Sequence, residues 1–550
     1  MMATDLAGCG ENFEELVGRR TPFVATQLGI SGFNALVPDI SDEGSARIAS
    51  EFRRLQEATR SVAARSESEG ITREVLMTFI EHETDLAELR DWQFQAGAFG
   101  GSAHSMAFSL VPRVRLTSTD DELSYLTRLG GLDRYFRQAG EQLQQGTSLG
   151  RTPVRRSLLS SQRTLMRYLQ TGTDDDVFLS PALGTRIEGA VRRLVVRRIR
   201  PAVESLALAF TRELAPTARD EQHMGVCWLP DGEQIYGVYS RVETTSALTP
   251  RALQSCGLEV LESLEAEFAI LGAEVFGTSQ PKQVRERLRD DPRVRLMGSS
   301  DLLTRAQSAN ERASRALSSW VDDHPASPCE VQLMNAGDAA TLPSAVYSSS
   351  QATSGLPGIY RLNADLCSSF QIEAVSFHEG TLGHHLQISI AQAAVDLPQF
   401  RRLYATTAFS EGWACYAERL ADEMHLYTSA FDRLGMVCHA TQRACRIVVD
   451  TGIHFLGWTF AHAFAFLEDR APMPLSSIRA DIDRIVDLPG QTLGYTIGHL
   501  EIATLRRDAE ALLGARFDIR TFHDALLRDG SLPLGVLRSK MDRWIDATNQ

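Results

Sequence analysis

Apolar residues recur at helical spacing through most of the chain. Val191, Leu194, Val195 and Ile199 line one face of a segment whose other face carries Arg192, Arg193, Arg197 and Arg200. That arrangement predicts an amphipathic helix with a solvated basic side. The same periodicity predicts helices over 46–65, 253–276, 371–377 and 500–513, with loops near Gly146-Thr147 and over 171–176. The most apolar run, 447–467, contains Asp450, His454 and His462. A membrane span tolerates few such groups, so the run reads as a buried helix close to a site. One stretch departs from the pattern: 341–363 is rich in Ser, Gly and Pro, with β-prone pieces at Ala345-Val346-Tyr347 and Gly358-Ile359-Tyr360-Arg361. A surface loop and an edge strand able to pair with an extended substrate backbone are both open readings of it. The fold class is mainly α, with a small β element ahead of the segment that carries the strongest chemical signal.

That signal is Phe377-His378-Glu379-Gly380-Thr381-Leu382-Gly383-His384-His385. In an H-E-x-x-H helix the second His lies four residues on, ~40° around and ~6 Å along the axis, so both rings reach one ion. Here that position is Leu382. An unbroken helix would swing His384 ~120° away and carry His385 ~10.5 Å up the axis. Gly380 and Gly383 bracket the insertion, and glycine tolerates a bulge or break between helical pieces. The expectation is a zinc helix with a local distortion. Downstream, Ser410-Glu411-Gly412-Trp413-Ala414-Cys415-Tyr416-Ala417-Glu418 offers a third protein ligand. Hydrolytic zinc takes three protein ligands and leaves one position for water; two His and one Glu is a known set. Glu411 and Glu418, seven residues apart on one helical face, compete for that role. Glu418 alternatively pairs with Arg419 or orients a ligand histidine.

Together with other stretches, these resemble the bacterial family called domain of unknown function 885, a group read as zinc-dependent hydrolases. The resemblance is carried by Ala25-Thr26-Gln27-Leu28-Gly29 with Pro38-Asp39-Ile40-Ser41, and by Thr244-Thr245 followed by Leu248-Thr249-Pro250. It continues through His378 to Gln387, Glu411-Gly412-Trp413, Arg443-Ala444-Cys445-Arg446, Asp450-Thr451-Gly452-Ile453-His454, Pro489-Gly490-Gln491 with Tyr495, and Phe522-His523-Asp524. The family commonly has proline where this chain has Leu382, so the break must form here without that constraint.

The resemblance implies a large multi-helical, zinc-peptidase-like architecture. A helical N-terminal lobe, 1–215, would pack with a catalytic region, 216–550, as one globular body around a deep cleft. It implies one zinc ion held by His378, His384 and Glu411, with His385 as the alternative to His384, and Glu379 as the base. Tyr495 and His454 are the candidates for the donor that meets the developing oxyanion. Arg446 either binds a substrate carboxylate through paired donors or pairs with Asp450 one turn on. Tyr347 and Gln491 join the substrate-contact candidates. His523 reads as packing.

Composition narrows the partners. A chain of 550 residues, 43% hydrophobic and 23% charged, buries a sizeable core. Its net charge of −14 argues against nucleic acid or an anionic membrane. The eight cysteines are scattered singly with no C-x-x-C pair, as expected of reduced core residues. Leu6-Ala7-Gly8-Cys9 superficially resembles a lipoprotein cleavage site, but five residues precede it and Asp5 interrupts any apolar run. These features favour a cytoplasmic protein with no membrane partner; a homodimer is left open.

The expected function is zinc-dependent hydrolysis of a peptide or amide bond in a small substrate. Two alternatives stand beside it. One is a tailoring enzyme of specialised biosynthesis acting on a small amide-like intermediate with the same metal site; the other is an inactive metal-binding scaffold.

Overall fold

The structure is a computed structural model that describes residues 5–291, 294, 298–322, 327–335, 344–349 and 357–550. Helices make up 70% of it, and the small sheet has three strands, so the fold is mainly α as the periodicity predicts. Two compact units are formed. The first holds Met1–Val238, Gly452–Ala463 and Ala480–Pro489, and the second Tyr239–Thr451, Phe464–Arg479 and Gly490–Gln550. The first stretch of the first unit thus runs to Val238, and two later segments return to that unit.

The first unit is organised on the helix Thr119–Ser148, which opens with a capping box in which Ser118 and Asp121 satisfy each other's backbone N–H. Leu129, Leu132 and Phe136 from this helix meet Val191, Val195, Ile199 and Val203 in one core. The arginines between the latter residues stay outside or at the edge, as expected. The loop expected at Gly146-Thr147 is instead helix. Gly146 is there because a neighbouring chain passes close: an added Cβ would lie 2.0 Å from the Gln93 carbonyl oxygen. Cys9 lies fully buried in the helix Leu6–Arg20. The apolar run 447–467 is two helices, Ala430–His454 and Phe460–Arg470, divided where Gly457 adopts φ +74°. Among the described residues no helix is long and apolar enough to cross a membrane.

In the second unit, β1 (Cys329–Leu333), β2 (Ala345–Ser348) and β3 (Gly358–Leu362) form a sheet in the order β1-β3-β2, with β1 parallel and β2 antiparallel to β3. The β-prone pieces are therefore strands. Residues 341–343 and 350–356 of the same stretch lie outside the described residues. The strand nearest the metal segment, β3, is central and has partners on both sides, so the edge read for this stretch is offered by β2. Tyr360, Leu362, Val331 and Ala345 pack on Leu302, Ala306, Ile372 and Val375, which seats the helices Ser299–Ala316 and Ile372–Glu379 on the sheet.

The helices Thr407–Glu423 and Leu493–Leu513 cross at glycine. A Cβ on Gly498 would lie 1.7 Å from the Ala408 carbonyl oxygen, and one on Gly412 would lie 2.5 Å from the Gly498 carbonyl carbon. Backbone packs directly on backbone there, which sets the height and rotation of Glu411 beside Gly412. Gly498→Ala is expected to cost about 1–3 kcal/mol by overpacking, read as a lower urea midpoint. Gly535→Ala, whose added methyl group meets nothing, serves as control. An unchanged midpoint in Gly498→Ala would contradict the close crossing.

Candidate metal centre

The metal segment is not one distorted helix but two. The first ends at Glu379 and the second runs His384–Ala393. The Gly380 N–H still donates to the Ser376 carbonyl at 2.9 Å, after which the Gly383 and His385 N–H groups both turn back to the Gly380 carbonyl, at 3.1 and 3.3 Å. Gly380 and Gly383 have φ of −85° and −93°, so neither is needed for a left-handed conformation. Gly383 is needed for room: its Cβ would sit 1.8 Å from the His378 carbonyl oxygen. Two side chains clamp the turn. Asn310 Oδ1 accepts from the Thr381 N–H and hydroxyl at 2.8 and 2.7 Å, and Trp413 Nε1 donates to the Leu382 and Gly383 carbonyls at 3.1 and 3.2 Å. Leu382 itself is fully buried. Burial and these clamps hold the break without proline.

The break brings His384 back beside His378, their rings edge to face at 4.8 Å between centroids. Glu411 Oε2 lies 3.2 Å from His378 Nε2 and 3.5 Å from His384 Nε2. With bonds of about 2.0–2.1 Å, donors on a tetrahedral zinc stand about 3.3–3.4 Å apart. The two Glu411–imidazole spacings fall close to that edge. Glu411 Oε2 is shut off from solvent and makes no well-angled hydrogen bond despite both rings. A carboxylate oxygen and two imidazole nitrogens so placed are the kind of donors that hold a divalent cation. The donor set fits zinc. A carboxylate oxygen of Glu379 lies within 4.8 Å of a ring nitrogen of each histidine, so these three side chains also form a donor group. Burial raises the Glu379 pKa against the lowering pull of His384 and His378. Burial would raise Glu411 too, but His384 and His378 hold it well below the usual carboxylate range.

His378 is oriented from behind. Its Nδ1 lies 2.9 Å from Glu418 Oε1, and Arg443 lies 2.7 Å from the same oxygen and 3.3 Å from Nδ1. This carboxylate–histidine pairing leaves Nε2 to face Glu411. Burial would lower the His378 pKa, but Cys415, Glu411 and Glu418 together raise it well above the ordinary value. His378, Cys415 and Glu418 also converge closely enough to form a second donor group. The Arg443 guanidinium beside Glu418 disfavours a cation there. Arg419, expected as a Glu418 partner, instead meets Glu267 at 2.6 Å. A cavity of about 510 Å³ touches Cys415, Glu418 and Arg443 but none of His378, Glu379, His384 and Glu411, so it lies behind the donors.

The other candidates separate clearly. His385 has both ring nitrogens engaged, Nδ1 with the Tyr347 hydroxyl at 3.0 Å and Nε2 with the Ser327 carbonyl at 2.9 Å, whereas His384 Nε2 faces Glu411. Tyr347 is thereby tied to His385. His454 belongs to the first unit, where Nδ1 accepts from the Val226 N–H and Nε2 donates to the Ile485 carbonyl. Burial pulls its pKa down to about 4, so it is a neutral packed ring with no donor to spare. Tyr495 lies beside Arg443, whose guanidinium is 5.8 Å from its ring centroid, and Gln491 reaches its hydroxyl at 3.5 Å. Arg446 acts electrostatically on His439, while Asp450 accepts from the Gly490 N–H and the Thr492 hydroxyl. His523 is fully buried between the Tyr416 hydroxyl and the Trp320 carbonyl, as packing requires. The sequence reading missed Arg443, Asn310 and the structural use of Trp413. Arg443 lay within the quoted Arg443-Ala444-Cys445-Arg446, but nothing in that string says which arginine turns inward.

The chain belongs to the family described as bacterial protein of unknown function (DUF885), matched over residues 22–541. No curated protein matches it. It shares its fold with the crystal structure of a "putative lipoprotein" from Colwellia psychrerythraea, at TM-score 0.91 and 22% identity over 98% of this chain and 99% of that one. A "putative lipoprotein of unknown function" from Shewanella oneidensis is similar at TM-score 0.76 and 18% identity, over 98% of this chain and 100% of that one.

Glu418→Gln is expected to weaken zinc binding about 10–100-fold with helix content unchanged, measured by competition with a chromogenic chelator. Wild-type affinity in that variant would remove Glu418 from the centre.

Proposed function

We propose that the protein is a zinc-dependent hydrolase of peptide or amide bonds. One observation carries the reading: the solvent-excluded Glu411 Oε2, with no well-angled hydrogen bond among the described residues, lies 3.2 and 3.5 Å from the Nε2 atoms of His378 and His384, close to the spacing of donors on one zinc ion. His378, His384 and Glu411 would hold the ion, and zinc, when bound, supplies a Lewis acid and an acidified water.

The chain's own residues do the rest. Glu379 takes the proton from the attacking water and returns it to the departing nitrogen, so the amine leaves neutral. Its burial suits a base whose pKa must lie above that of an ordinary carboxylate. Glu418 and Arg443 keep the His378 ring in one tautomer and one orientation. Tyr495 is the remaining side-chain candidate for the carbonyl oxygen, because both nitrogens of His454 are committed to backbone. Gln491, within reach of the Tyr495 hydroxyl, would help aim it. The edge strand β2 is where an extended substrate would add its backbone.

Purified protein is expected to contain one equivalent of zinc, and His378→Ala to lose it. Glu379→Gln is expected to keep the metal and lose turnover of dipeptides or simple amides by at least about a hundredfold. Full activity in Glu379→Gln, or His378→Ala protein with undiminished metal, would each defeat the reading.

A further inference from the structure

Glu243 is a carboxylate that the mechanism above does not use. It lies at the C-terminal end of the helix Gly232–Thr244, against the first turn of the helix that carries Glu411. The packing there is close: a Cβ on Gly494 would lie 2.9 Å from the Glu243 carbonyl oxygen, 2.8 Å from Thr407 Cγ2 and 3.1 Å from the Ala408 nitrogen. The Thr407 side chain acts on the Glu243 carboxyl and favours its charged form. Thr407 and Glu411 are four residues apart and share one helical face, which puts Glu243 on the side from which Glu411 reaches the metal donors. The two carboxylates are near enough to repel each other.

Glu243 Oε2 is buried from solvent and has no hydrogen-bond partner among the described residues. Among the described residues no basic side chain forms an ion pair with this carboxyl. A buried carboxylate oxygen with neither donor nor counter-charge is costly unless a ligand supplies one. Bound zinc would neutralise the charge of Glu411 but leave that of Glu243. What the position lacks is a cation that donates hydrogen bonds. An ammonium group does both, and its charge-assisted hydrogen bonds are roughly twice as strong as neutral ones.

We propose that Glu243 binds the protonated amino group of the substrate, so that the protein acts on peptides or amides presenting a free amine near the bond that is cut. The assignment rests on the hydrolase reading and names its substrate class. A substrate whose amine is acylated brings no charge and leaves Oε2 unpaired.

The test is calorimetric titration of the zinc-loaded protein with three probes that chelate zinc through the same group: leucine hydroxamate, its N-methyl derivative and its N-acetyl derivative. The first two carry the positive charge and the third does not. Wild-type protein is expected to bind leucine hydroxamate at least about tenfold more tightly than the N-acetyl probe, since truncating one side of a buried charge pair commonly costs that much or more. The N-methyl probe should follow the free amine. Glu243→Gln should bring the ratio close to one with zinc content unchanged. Equal affinities in wild-type protein would overturn the Glu243 assignment and leave the metal centre standing. So would an N-methyl probe that behaves like the acetylated one, since size would then decide. A ratio that survives in Glu243→Gln also overturns it, as does loss of zinc from that variant, which would make Glu243 a metal ligand. If no hydroxamate binds the zinc-loaded protein, the hydrolase reading fails and the assignment falls with it. The wild-type comparison needs no variant, so a misfolded Glu243→Gln does not blunt the test.

Discussion

The centre depends on one close approach of backbone to backbone. Gly383 has only a hydrogen where any other residue would drive a carbon to 1.8 Å from the His378 carbonyl oxygen. That lets the chain leave one helix at Glu379, cross four residues and enter another at His384 with the two imidazoles face to edge. A regular helix cannot bring positions six apart onto one face. The broken one can, and the cost of the break is offset by hydrogen bonds from Asn310 and Trp413 and by burial of Leu382.

Glu411-Gly412-Trp413 takes its meaning from the same constraint. Three consecutive residues of a helix point in different directions, and each has a separate task. Glu411 faces the two Nε2 atoms, Gly412 lets the partner helix pass at backbone distance, and Trp413 reaches the carbonyls of the break. Moving one alters the others, because a shift of the helix at Gly412 displaces both the carboxylate and the clamp. Glu418, two turns beyond Glu411, extends the arrangement to the far side of His378, where Arg443 holds it ionised. His378, His384 and Glu411, the side chains that orient them and the packing that positions them are thus drawn from a few tightly crossed helices of a single unit.

Much of this was legible before any coordinates. Helical periodicity located the helix containing Val191, Val195 and Ile199 and the one ending at Leu513, and the β-prone pieces at Ala345 and Gly358 are strands. Glycine was misread where it serves contact and not conformation. Gly146 looked like a turn, but its missing side chain admits the Gln93 backbone in the middle of a helix. Long-range neighbours were the other blind spot. His454 sat in a family-like string beside plausible chemistry, yet both its nitrogens are committed to Val226 and Ile485, far away in sequence.

The amino-acid sequence by itself determined the helical class, the presence of a histidine and glutamate cluster with glycines at its break, and the kind of ligand set such residues make. Those follow from local rules of periodicity, steric size and donor chemistry. Only the tertiary structure decided which of His384 and His385 stands beside His378, which of Glu411 and Glu418 faces the Nε2 atoms of both rings, and which of Arg443 and Arg446 neighbours His378. Adjacent residues of one type are chemically alike, so the choice is made by what else their atoms touch. His385 is held by Tyr347 and Ser327 and Glu418 by Arg443, while Glu411 faces the Nε2 atoms of His378 and His384.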